Sequence, residues 1–180
     1  MNFFENPFFW AFLSMFAVLA STQVVANKRL GRYPLFGLIV VALFAFGRAV
    51  LVLPSLPQPR FDVGVWHWII GGVVFVLGIV FSIPAWNIKP FTAPDEKVVL
   101  KTNGFYRFVR NPIYLAELLW CLGWSIMFRS IIGLVLVPFW WASLLFLTLL
   151  EEESLERTLG PSYTEYKKKV RSRIIPGLPI

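Results

Sequence analysis

Apolar residues run along this chain in five long blocks, at 8–26, 34–53, 65–85, 112–128 and 131–150, parted by shorter polar stretches. A bilayer core of roughly 30 Å takes about 20 residues of helix. Four blocks meet that length. The fourth, 112–128, is slightly short and is expected to extend through Arg129 by tilt or a tight turn. The pattern predicts an all-α fold, an integral membrane protein with five transmembrane helices. Spans four and five have almost no polar residues between them, so they read as a helical hairpin.

The polar stretches complete the outline. Residues 86–111 contain Pro90 and Pro94 and many polar groups, and cannot form a continuous span. Their aromatic residues suit a membrane interface, and Asn103-Gly104 is a turn signal. Residues 151–159 are expected to continue the fifth helix beyond the membrane. Gly160-Pro161 should end it, an amphipathic helix is predicted near 162–170, and Pro176 stops what remains. The chain reads as one membrane domain over 1–180, with a three-span scaffold at 1–85 and a cofactor-binding catalytic half at 86–180.

Charge orients the model. Of 17 Lys and Arg residues, 14 fall in the loop after span one, in 86–111 and in the tail after 150. The positive-inside rule makes that face cytoplasmic. The N-terminus is then outside and the C-terminus cytoplasmic, which needs an odd number of spans. Glu5 with no preceding Lys or Arg argues for a retained first helix rather than a signal peptide. The net charge of +7 is mostly this topology signal, with anionic headgroups as a second use and no nucleic acid as partner. Hydrophobic residues make up 57% and charged residues 15%, against about 25% charged in soluble domains. The lone Cys121 and lone His67 support neither a metal site nor a Ser-His hydrolase. Arg48, within span two, reads as structural and able to snorkel toward the outer end.

Candidate chemistry begins at Arg110-Asn111-Pro112. Asn is a favoured N-cap and Pro a favoured first helical residue. The helix start offers free N–H groups to an anion, and Arg110 adds a charge. Arg110, Tyr114, Glu117 and Cys121 step along one helical face. Glu117, a carboxylate inside a span, needs a polar cavity or a partner, for which Arg110 or a bound cation are the candidates. The hairpin brings Glu151 and Glu152 to the level of Arg110. The result is a pocket with a basic lip and an acidic lip. A ligand carrying both signs of charge suits it, and S-adenosylmethionine is chemically compatible.

The segments "NGFYRFVRNPIYLAELLWCLGWSIMF" and "EEESLERTLGPSYTEYKKKVRSRIIP" resemble the C-terminal half of the isoprenylcysteine carboxyl methyltransferase and phospholipid N-methyltransferase superfamily. The resemblance covers about 80 residues, from Lys101 to the end. It implies an integral-membrane methyltransferase that binds S-adenosylmethionine and methylates a lipophilic acceptor, a phospholipid amine or an isoprenylcysteine-like carboxylate or thiol, at the cytoplasmic face. Carried over, Arg110, Asn111, Tyr114, Glu151 and Glu152 form the cofactor set, with Tyr106 and Pro112 of the same motif. Arg110, Tyr114 and Glu117 are the catalytic candidates. Tyr163, Tyr166, Arg171 and Arg173 are expected at the acceptor. No metal is expected. Two other readings are an NADPH-dependent membrane reductase related to sterol reductases, and a membrane scaffold without activity.

Overall fold

The computed structural model describes residues 2–26, 34–86 and 99–179. Six α-helices follow in order: α1 Pro7–Ala26, α2 Pro34–Leu51, α3 Trp66–Trp86, α4 Pro112–Met127, α5 Ile131–Leu159 and α6 Pro161–Lys169. Among the described residues there is no β-strand, only an isolated bridge between Arg60 and Ser130. The cations of the first polar loop, and residues 87–98 of the expected interfacial segment, lie outside the described residues.

The predicted spans and the observed helices agree within two residues at almost every end. The exception is α5, which runs unbroken to Leu159, nine residues past the apolar block, as expected. Among the described residues, α3 and α5 are long and apolar enough to cross a membrane. The short block stayed short: α4 has 16 residues, about 24 Å of rise. Beyond it the chain passes through Arg129 in a tight turn, one of the two continuations expected. Arg129 takes a left-handed conformation (φ 56°), and Ser130 caps α5 by accepting from the Gly133 N–H at 2.9 Å.

Small residues set the packing. α3 lies antiparallel along α4, with glycines facing backbone. A Cβ at Gly123 would sit 2.5 Å from the Phe75 nitrogen and 2.8 Å from the Gly71 oxygen. Gly78 meets the Trp120 nitrogen in the same way, and Gly47 of α2 meets Ser14 of α1. Such close approach is how helices gain van der Waals contact where lipid provides no hydrophobic drive between them. The outward flank of α3 carries exposed Trp66, Trp68, Ile69, Ile70, Val73, Val76 and Val80, an apolar belt fit for lipid.

Polar closures hold the two ends of the bundle. At one end Arg60 donates to the carbonyls of Leu53 (2.6 Å) and Phe128, tying the loop after α2 to the α4–α5 turn. His67 Nδ1 lies 2.7 Å from the Met127 carbonyl. At the other end the C-terminal tail crosses the start of α4. Arg110 N–H donates to the Ser172 carbonyl at 2.9 Å, and Asn111 N–H to the Arg173 carbonyl at 2.8 Å.

Candidate active site

The opening turn of α4 is built as its sequence directs, with one difference. Pro112 is the first helical residue and Asn111 the N-cap, but the Asn111 side chain makes no capping hydrogen bond. Its backbone carbonyl accepts from Leu115 N–H (3.3 Å), the first bond of the helix. The Ile113 and Tyr114 amides, which a side-chain cap would engage, are left to other acceptors.

Arg110 is buried and points across to α5. Its Nε donates to Glu152 Oε1 at 2.6 Å, and one terminal nitrogen donates to the Val170 (2.7 Å) and Arg171 (3.0 Å) carbonyls. Glu152 is equally buried. Its second oxygen accepts from Arg173 Nε at 3.2 Å and faces Lys167 Nζ at 4.0 Å. The basic and acidic lips therefore close on each other. A single carboxylate knots together α4, α5, α6 and the tail.

Glu151 is placed differently. Tyr114 Oη–H donates to Glu151 Oε1 at 2.6 Å, and among the described residues nothing engages its other oxygen. Tyr114 and Glu151 thus form an oriented pair next to the uncapped helix start. Tyr106 lies on the 3-10 turn Gly104–Arg107, which Gly104 begins with φ 59°. Burial, and then the charge of Glu151, raise the Tyr106 phenol above its ordinary value.

Tyr163 and Tyr166, expected at the acceptor, are buried and pack with Leu100, Leu155 and Leu159. The Tyr166 hydroxyl donates to the Tyr106 carbonyl at 2.8 Å. Burial raises both phenols, that of Tyr166 to about 12. Arg173 reaches Glu152, whereas Arg171 contributes a carbonyl and leaves its side chain exposed.

Glu117 does not pair with Arg110. Its partner is Arg48, at 2.5 Å. Arg48 is buried rather than snorkelled. It also donates to Cys121 Sγ (2.8 Å) and the Phe44 carbonyl (3.1 Å), and its guanidinium lies 3.3 Å from the Phe44 ring centroid. The signal was available in the sequence: two intramembrane charges of opposite sign, each costly alone, favour each other as partners. The roles of the Val170 and Arg171 carbonyls had no such signal.

The phospholipid methyltransferase family model matches residues 65–162, from the start of α3 into α6. Two isoprenylcysteine O-methyltransferases are similar. The protein from Dictyostelium discoideum is 32% identical over 121 residues, covering 62% of this chain and 50% of that protein. The one from Schizosaccharomyces pombe is 32% identical over 83 residues, covering 46% and 34%. The chain thus aligns with about half and a third of the length of these relatives. No solved structure matches it. The family match takes in more than half of the 180 residues, among them Arg110 and the helices α4 and α5 that carry Tyr114, Glu151 and Glu152, and by it the chain belongs to the phospholipid methyltransferase family.

Proposed function

We propose that this protein is a five-span membrane methyltransferase that takes S-adenosylmethionine as donor and a lipophilic molecule as acceptor, with its site at the cytoplasmic face. One observation carries the reading: within the family-matched region, the uncapped start of α4 converges with the half-engaged Glu151 and the Arg110–Glu152 pair at one end of the bundle.

The donor set fits the cofactor. Free N–H groups and the positive end of α4 suit its carboxylate. The unengaged Glu151 oxygen suits its ammonium or ribose hydroxyls, with Tyr114 fixing the carboxylate's direction. The Asn111 side chain has no partner among the described residues and is available as a further contact. Pro112 contributes a preset backbone angle. Arg110 and Glu152, engaged with each other, hold the frame in register and can trade partners when a ligand of both charges arrives. Tyr106 closes the side nearest the 3-10 turn. Bound S-adenosylmethionine supplies an electrophilic methyl on sulfonium. The chain's own work is orientation, which is worth roughly 7–11 kcal/mol of barrier in favourable cases.

The relatives named above act on isoprenylcysteine, and the matching family model is that of phospholipid methyltransferases. Both kinds of acceptor are lipid-borne. The NADPH-reductase reading has no observation of its own in this structure. The test is calorimetry of purified protein with S-adenosylmethionine and with NADPH, alongside lipid mass spectrometry of expressing cells. Binding of the first and a lipid one methylene heavier are expected. Binding of NADPH alone would overturn the reading.

A further inference from the structure

α1 packs on α2, and α3 packs on α4. Between these two pairs, at the level of the second and third turns of α4, lies a cavity of about 240 Å³. Its wall includes Ala45 of α2, Gly78, Ile79 and Ser82 of α3, and Ile113 and Glu117 of α4. Ile79 is exposed on the flank of α3, so the cavity's rim faces the apolar surround. The volume is smaller than the about 300–1,000 Å³ of a site that swallows a whole ligand. It has room for a polar head, with an attached chain left in lipid.

The electrostatics of the wall are one-sided. Arg48 is 1% exposed in its side chain, and Nε and both terminal nitrogens donate inward, to the Phe44 carbonyl, Cys121 Sγ and Glu117 Oε2. Glu117 is 34% exposed, and its Oε1 has no partner among the described residues. The pair is neutral as a whole, but it turns its negative end to the cavity. In a low-dielectric surround such an oxygen attracts N–H donors and repels carboxylates.

We propose that this lateral cavity binds the head of a membrane amphiphile bearing a nitrogen donor, an amine, and that it discriminates against an anionic head. Glu117 is the residue that touches the head, and Arg48 is a positioning residue that holds Glu117 through one oxygen and leaves the other free. Ile113 stands at the inner end of the wall, next in sequence to Tyr114, whose hydroxyl marks the cofactor lip. As an acceptor site the cavity rests on the methyltransferase reading above. As a binding site it stands without it.

The experiment measures binding of a radiolabelled long-chain primary amine, and of the fatty acid of equal length, to the full chain in phosphatidylcholine nanodiscs without cofactor. The amine is expected to bind about tenfold or more tightly than the acid, the scale of a charge-assisted hydrogen bond. Glu117→Gln should erase that preference. Because it leaves Arg48 without its anion, Glu117→Gln can fail to fold. Ile79→Trp keeps the ion pair, fills the cavity from its exposed rim, and should abolish amine binding with an unchanged melting temperature. Equal or tighter binding of the acid, or wild-type amine binding in Ile79→Trp, would overturn the proposal. S-adenosylmethionine calorimetry on the same samples reports separately. Its failure with intact amine preference would remove the methyltransferase reading and leave the cavity, and the reverse result would do the opposite.

Discussion

Glu151→Gln and Glu152→Gln exchange the same atoms one residue apart on α5, and the structure assigns them opposite consequences. Glu152 is buried, as is its partner Arg110, and two further cations lean on its second oxygen. Removing its charge leaves the buried guanidinium of Arg110 without an anion, beside Arg173 and Lys167. Breaking a buried pair by deleting one partner costs about 3–5 kcal/mol. For a chain of this size that is a drop in melting temperature on the order of 10 °C. Glu151 donates no stability of that kind. It accepts one hydrogen bond from Tyr114, which a glutamine oxygen can also accept. Its charge is idle until a cationic or hydroxylated ligand meets it. Glu151→Gln should therefore melt near wild type but bind S-adenosylmethionine roughly ten- to a hundredfold more weakly, the loss of one charge-assisted hydrogen bond of about 1.5–3 kcal/mol. Thermal melts in detergent and calorimetry on the same two preparations separate the cases. A Glu152→Gln protein that melts with wild type would refute the reasoning, because it would show that the buried knot carries no net stability.

Gly123→Ala places a Cβ against the Phe75 and Gly71 backbones, where neither flank can yield. It should cost about 1–3 kcal/mol, read as a lower melting temperature, whereas Gly72→Ala, which meets nothing within 4 Å, should not. Ser130→Ala removes the cap of α5 and the donor to Gln58; a loss of about 1 kcal/mol is expected in the same assay. Burial holds the Tyr163 and Tyr166 phenols above the ordinary value near 10. Their contribution is thus complete below pH 10 and is lost as pH climbs through about 12 for Tyr166. Tyrosinate absorbance should show this late step in the native protein, and a single step near 10 would contradict the burial of both rings. Cysteines placed at positions 62 and 165 should label from opposite sides of the membrane in sealed vesicles, and labelling from one side would remove the five-span topology.

The helices were legible because apolar blocks of membrane length have few alternatives: once the backbone must satisfy itself within a span, a helix follows. Their ends were legible for local reasons, Pro112 at a first position, Gly160-Pro161 at a stop. The convergence of Arg110 with Glu151 and Glu152 followed from hairpin connectivity alone. What those three residues do there was less legible. Sequence spacing sets which residues share a level, but not which oxygen of which carboxylate an arginine chooses. The choice fell to the tail, whose Val170 and Arg171 carbonyls fix Arg110 in the direction of Glu152. Backbone carbonyls carry no residue-type signature, so no pattern could mark them. The same limit hid the burial of Tyr163 and Tyr166. Their spacing on α6 matched a motif, and the structure turned that face onto Leu155 and Leu159 of α5.

α4 is the shortest of the expected spans, and polar groups tie it at its start, middle and end. Arg110 and Asn111 fasten its start to the tail, Arg48 grips Glu117 and Cys121 in its middle, and Arg60 and His67 close on its last carbonyls. In water such a helix would be held mainly by burying apolar area. In lipid that drive is absent between helices, so close glycine contacts and polar ties decide which neighbour a helix keeps. Those ties also fix rotation about the helix axis, because Glu117 can meet Arg48 only with one face turned to α2. That rotation directs Tyr114, one turn earlier on the same side, toward Glu151. The intramembrane ion pair and the orientation of the candidate cofactor lip are then two consequences of one rotational setting. A change that frees Arg48 from Glu117 should weaken the Tyr114–Glu151 alignment without touching either residue.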